Sequence, residues 1–477
     1  MPSDAFPDES PSALDVGLLA PVAVGHDAEV TDAAVLDALV AAEVALLRAY
    51  ADVGTAPRAV ADAVEAALGW VGPGQPCRGH GVEVVALAEA SVSGGNPVIP
   101  LVAMLKERVP AEAQGWVHRG ATSQDILDSA LMLTAYRAAT HVAASLRATE
   151  RALAAFAEEH RATVAAARTL TQHAVPTTVG LRAANWLRGV RRSADRLVPA
   201  IAQLPAQLGG AGGTMASFVE VAGPDAAGRL AERFAASLGL AAPQAPWHTT
   251  RWPVTELGDA LTAAIDAVGV IAADVSTLSR TEIGELAEGV GGGSSAMPQK
   301  QNPAGAVLIR SAALRAPQLA ATLHLAAATA VDERPDGAWH AEWPTLRELV
   351  RLALGATAQA ARLVEGLTVD REAVALNLER TRGLIVAERL SLVLGPRIGR
   401  ERLSALIAAA GRDDDVGGAD LAALVRALPE AADLDVDALL DPANYTGLAA
   451  RFVDDAVGAD RITHPGTQEP TRPEDTP

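Results

Sequence analysis

The helical period of the apolar residues constrains this chain more than any other feature. From Pro253 onward, Leu257, Leu261, Ile265, Val268, Ala272, Val275 and Leu278 recur every three or four residues. That spacing lays an apolar stripe along one face of an α-helix. Continued to Glu288, it predicts one helix of about 35 residues, spanning about 50 Å at about 1.5 Å per residue. A helix so long exceeds what one small domain can cover and needs other long helices beside it. Segments 122–159, 178–201 and 304–330 carry the same period, while alternating strand patterns are almost absent. The expected fold is therefore all-α, a bundle of long antiparallel helices. Aromatic residues are only 3% of the chain, so small side chains must let the helices pack closely. No repeat of about 30–45 residues suggests a solenoid.

With 477 residues the chain has room for two or three domains. Residues 1–12 and 463–477 are rich in Pro, Asp, Glu, Ser and Thr and are expected to be disordered. Between them we divide the chain into a helical N-terminal domain (13–114), a central helix-bundle domain (115–367) and a small helical C-terminal domain (368–462). The single cysteine, Cys77, rules out an intrachain disulfide and fits a reducing cytoplasm. The acidic, proline-bearing N-terminus lacks the basic flank and apolar run of a signal peptide. The apolar stretch at 312–331 contains Arg315 and His324, which suits a buried bundle helix better than a membrane span. A net charge of −19 argues against a nucleic-acid partner. It does not argue against a small anionic substrate, since a few local cations decide that. No HxxxH or HxH pair lies beside carboxylates as a metal site requires, and no GxGxxG follows a strand. No metal and no cofactor are expected.

Residues 291–303 read Gly-Gly-Gly-Ser-Ser-Ala-Met-Pro-Gln-Lys-Gln-Asn-Pro. Glycines permit a mobile backbone and close approach to a ligand. Ser294, Ser295 and Lys300 supply two hydroxyls and a cation. Asn302-Pro303 is a favourable helix start, and the positive end of that helix would favour an anion. The string resembles the GSSxMPxKxNP signature loop of the fumarase/aspartase superfamily.

Three further segments carry the same resemblance. Residues 118–128, His-Arg-Gly-Ala-Thr-Ser-Gln-Asp-Ile-Leu-Asp, contain a capping-box-like Thr122-x-x-Asp125. They resemble the GxTSxDxxDT region of the adenylosuccinate-lyase and carboxymuconate-cycloisomerase branches. That likeness implies that Thr122 and Ser123 bind a substrate carboxylate, with Arg119 beside them. Residues 168–178 are similar to the RTHxQxAxPTT stretch of adenylosuccinate lyases, which implies substrate contacts for Thr171 and Gln172. The histidine that serves there as general acid is replaced here by Leu170; His173, three residues on, is read as structural. Residues 333–343 resemble the ERPxGAWHAEW segment of 3-carboxy-cis,cis-muconate cycloisomerases, and Arg334 matches a substrate-binding arginine. The segment also contains His340, to which no role is assigned. Residues 94–100, with Asn96, match a pocket-lining loop of the same branch.

The resemblance covers about residues 15–457. It implies a three-domain, all-α fold that forms a homotetramer around the long helices, with each active site drawn from three subunits. The implied chemistry is anti β-elimination next to a carboxylate. Ser294 would be the base, and Lys300, Asn302 and loop N–H groups would hold the resulting aci-carboxylate. Without a histidine at 170 the leaving group should need no proton at the transition state. Nitrite from nitrosuccinate, giving fumarate, meets that condition. So does the carboxylate in 3-carboxy-cis,cis-muconate lactonisation, which is the alternative. Gln299 and Gln301 stand where the cycloisomerases usually have His and Arg, and Trp252 where they have Asp. The two lost cationic positions and the added tryptophan fit the less charged nitrosuccinate. A non-catalytic structural homologue is the remaining reading, against which the intact Ser294, Lys300 and Asn302 set speaks. The expected partner is a dicarboxylate or tricarboxylate, with no nucleic acid and no membrane.

Overall fold

A computed structural model describes residues 16–293, 297, 299–411 and 420–463. Apart from Thr463, both termini expected to be disordered lie outside these residues. The architecture is all-α. Helices Ser123–Glu159, Val179–Ala202 and Ala304–Ala328 occupy the segments that the apolar period selects. A further helix of 29 residues, Gly337–Glu365, follows them.

Two expectations are corrected. The helix that begins beside Pro253 is Trp252–Leu278, with 27 residues, and stops well short of Glu288. Beyond it the chain turns: Gly284 has φ +65°, and the N–H groups of Ile283 and Gly284 both donate to the Arg280 carbonyl. The Glu285 N–H then donates back to the Leu278 carbonyl at 2.9 Å, which satisfies a terminal carbonyl of the helix as the chain turns away. Strand structure is also present. Val164–Thr169 and Gln172–Thr178 form an antiparallel hairpin, and Leu286–Ala287 pairs with Thr368–Val369. Alternation is a poor detector of this hairpin, because its first strand buries the consecutive residues Ala165 and Ala166.

The chain forms two compact units. One comprises Met1–Leu146, Arg192–Gly269 and Leu308–Gln359; the other comprises Arg147–Arg191, Val270–Val307 and Ala360–Pro477. The apolar stripe is inside the protein: Leu257, Leu261, Ile265 and Val268 are fully buried in the first unit, and Ala272 and Val275 in the second. Small residues set the helix spacing there. A Cβ on Gly258 would lie 2.8 Å from Leu323 Cδ1, and one on Gly269 would lie 2.8 Å from the Ala313 Cβ. Among the described residues one helix, Trp252–Leu278, is long and apolar enough to cross a membrane. Its buried stripe is part of the helix packing just described.

Candidate active site

In the first unit, candidate residues gather at the start of the Ser123 helix. Asp125 is fully buried. Its carboxylate accepts from the N–H groups of Thr122 (3.0 Å), Gly209 (2.8 Å) and Gly210 (2.9 Å). His248 Nε2 lies 3.0 Å from the same carboxylate. A carboxylate so surrounded accepts only, so Nε2 is the protonated ring nitrogen. The Thr122 bond is the return half of the expected capping box.

One turn further along, Asp128 receives Arg251 through both terminal nitrogens, at 2.6 and 3.1 Å. Arg251 also donates to Glu342 at 2.6 Å, and Trp339 donates to Asp128 at 2.9 Å. Asp128, Arg251 and Glu342 are each at most 3% exposed, so the charges must compensate one another. Burial pushes the Glu342 carboxyl up, against the pull of Arg251. Burial also works against the Arg251 cation, but Asp128 and Glu342 outweigh it and hold the guanidinium above its ordinary value. Arg251 lies over the Trp247 ring, 4.7 Å from its centre.

Gln124 ties this cluster to Arg334. Its amide donates to Asp128 (3.2 Å) and to the His248 carbonyl (2.9 Å), and its oxygen accepts from Arg334 Nε at 3.3 Å. Arg334 also donates to the Ala211 carbonyl at 3.1 Å. Arg334 is thus held against the buried Gln124, which follows Thr122 and Ser123 directly in the chain. Asn96 is used locally: its oxygen accepts from the N–H groups of Val98 (3.1 Å) and Ile99 (3.4 Å) at the start of helix Val98–Lys106. The preceding Gly95 faces His340, whose Nε2 is 3.9 Å from where a Cβ would sit. The exposed Arg119 stacks over Trp116, 4.7 Å from the ring centre.

His118 gains a partner that the sequence reading missed. It adopts φ +59°, and its Nδ1 lies 2.7 Å from the carboxylate of Glu43. Burial works against a charged His118, yet Glu43 outweighs it and raises the imidazole above its ordinary range. The available signal was Glu43 itself, a lone charge in the apolar run of helix Asp32–Asp52.

In the second unit, the hairpin presents its two-residue tip, Leu170-Thr171, between the paired Thr169 and Gln172. Both tip residues have positive φ, +47° and +71°, as a type I′ turn demands and as non-glycine residues resist. Leu170 is 96% exposed, so the tip carries no titratable side chain where the resemblance places an acid. Thr171 and Gln172 are exposed beside it. His173 sits opposite Arg168 in the register. Burial and then Arg168 lower its imidazole below the usual range. Arg168 is itself held by the buried Glu285, at 2.5 Å.

The signature loop is pinched at its base. The N–H and carbonyl of Gly292 bond the carbonyl and N–H of Asn302, each at 2.8 Å. Two of its glycines serve the loop's own packing. A Cβ on Gly291 would lie 2.9 Å from Gln301 Oε1, and one on Gly292 would lie 2.8 Å from the Ala304 Cβ. Gln301 therefore has its amide oxygen against the loop itself, which weakens its value as a sign of substrate charge. Lys300 is exposed. Ser294 and Ser295 lie outside the described residues. The expected anion site at the start of helix Ala304–Ala328 is corrected, because Glu288 fills it. Its carboxylate accepts from the N–H groups of Gly305 (3.0 Å) and Ala306 (2.8 Å), so the negative charge that a helix start favours comes from the protein.

A family profile described as "Lyase" matches residues 26–317. The chain belongs to the fumarase/aspartase superfamily of lyases. It is 46% identical over 467 residues to a nitrosuccinate lyase of Streptomyces davaonensis, covering 94% of this chain and 96% of that one. It is 41% identical over 426 residues to a 3-carboxy-cis,cis-muconate cycloisomerase of Pseudomonas aeruginosa, covering 87% and 90% of the two chains. The crystal structure of a 3-carboxy-cis,cis-muconate lactonizing enzyme from Pseudomonas putida matches with a TM-score of 0.81 at 36% identity, over 91% of this chain and 96% of that chain. This superfamily member is an enzyme of the fumarate-lyase type.

Proposed function

We propose that this lyase eliminates nitrite from nitrosuccinate and leaves fumarate. Ser294 takes the proton from the carbon next to a carboxylate. The electron pair passes through an aci-carboxylate held by Lys300 and Asn302, with Ser295 from the same loop. The C–N bond then breaks and nitrite leaves with its electrons. Thr122, Ser123 and Arg334 bind the second carboxylate, and Asn96, Arg119, Thr171 and Gln172 complete the pocket. The observation that carries this reading is the hairpin tip: Leu170 offers no proton, and nitrite is a weak enough base to leave without one. The 46% relative that bears the nitrosuccinate lyase name supports the same choice. We place the enzyme in the cytoplasm as a homotetramer whose subunits share their active sites.

The second reading, 3-carboxy-cis,cis-muconate cycloisomerase, draws on the 41% relative and on the matching crystal structure. One assay separates the two: nitrite released from nitrosuccinate against loss of carboxymuconate absorbance. Nitrite release is expected, and Ser294→Ala should lower it about 10²- to 10⁴-fold, the range for a general base. Turnover of carboxymuconate alone would overturn the first reading.

A further inference from the structure

His248 is buried to all but 4%, and only one of its ring nitrogens is used. Nε2 meets Asp125 at 3.0 Å. Nδ1 is buried and has no hydrogen-bond partner, a costly state for a polar atom in a packed interior. Little covers it. A Cβ built on Gly213 would lie 3.7 Å from Nδ1, and one on Gly212 would meet nothing within 4 Å. Ala211 and Gly212, in the same turn as Gly213, are exposed. The turn is closed by the Met215 N–H donating to the Gly209 carbonyl at 2.8 Å, and Arg334 donates to the Ala211 carbonyl within it.

We propose that His248 is a further substrate-binding residue, whose Nδ1 takes a carboxylate oxygen of the ligand when the turn at 211–214 moves aside. Arg334 couples the two events. A carboxylate that engages its guanidinium competes with the neutral Ala211 carbonyl, and a charged acceptor makes the stronger bond. Releasing Ala211 lets the 211–214 segment swing about its Gly209–Met215 closure and uncover the ring. With Asp125 accepting from Nε2, the ring meets the ligand carboxylate through a proton on Nδ1 that is taken up from solvent on binding and shared between the ring and the ligand oxygen. The glycines suit this role, since Gly210 and Gly213 already have φ of +74° and +71° and lack the side chains that would keep a ligand away. Asp125 also fixes the backbone at Thr122 and at Gly209-Gly210, so the imidazole is positioned by the residues that start the Ser123 helix.

This inference rests on the dicarboxylate reading above, and succinate tests both without turnover. In wild-type protein with ¹⁵N-labelled histidine, succinate should shift the His248 Nδ1 resonance from that of a bare nitrogen to that of a protonated one. In His248→Gln the amide preserves a donor toward Asp125 and removes Nδ1, and the Kd for succinate should rise about tenfold, equivalent to about 1.4 kcal/mol. Succinate binding that leaves the resonance unmoved overturns the proposal, whether or not the variant folds. A correctly folded His248→Gln with wild-type affinity overturns it as well. Failure of the wild-type protein to bind succinate breaks the dicarboxylate reading, and the proposal with it.

Discussion

The cluster around Arg251 and the hairpin tip at Leu170-Thr171 satisfy their backbones and charges in opposite ways. Around Arg251 every charge is buried and paired, and the side chains come from three stretches far apart in sequence. At the tip, two non-glycine residues hold left-handed conformations with their side chains in the open. Buried pairing gives a frame that loses much when one member is removed. An exposed, strained turn gives up local stability and is retained where a particular residue matters more than comfort. The contrast separates what builds the site from what the site displays.

Three substitutions or titrations test that contrast, in order of expected size. Arg251→Ala leaves Asp128 and Glu342 facing each other without a cation, and should lower unfolding free energy by about 3–5 kcal/mol, read from denaturant midpoints. A loss below about 1 kcal/mol would show that the cluster is not the frame described here. At the tip, the double change Leu170→Asn with Thr171→Gly supplies the residues an I′ turn prefers. It should raise stability by about 1 kcal/mol, and a decrease would mean that the side chains are held by contacts outweighing their strain. The smallest effect belongs to His118. Its folded value is raised, so its contribution is complete below the ordinary imidazole value and disappears as pH climbs through the folded value. Stability should therefore fall from neutral to alkaline pH, and Glu43→Gln should flatten that slope. An unchanged slope in the variant would dissociate the effect from this pair.

Long helices were legible because their apolar period is local and repeats many times. The Trp252–Leu278 helix was overextended because the turn that follows it has apolar residues, Ile283 and Leu286, that still fit the period. The hairpin was missed because its first strand buries adjacent residues instead of alternate ones. At the site, contiguous motifs were readable at 118–128 and 333–343. The bonds that join them were not, because Arg334 reaches Gln124 and Arg251 reaches Asp128 across more than a hundred residues of chain each. Glu288 illustrates the same limit. Its carboxylate occupies the first turn of a helix that begins sixteen residues later, so Asn302-Pro303 alone could not reveal that the position was taken.

The clasp between Gly292 and Asn302 has a practical consequence. The two strands entering and leaving the signature loop are joined to each other by paired backbone bonds, which depend on no side chain. The chain enters and leaves the loop at one closed junction. Loops from relatives that act on other acids can be joined here at Gly292 and Asn302, keeping the glycine that Ala304 leaves no room to replace. Such chimeras would read out directly how much of the choice of substrate is written in those few residues and how much in the rest of the protein.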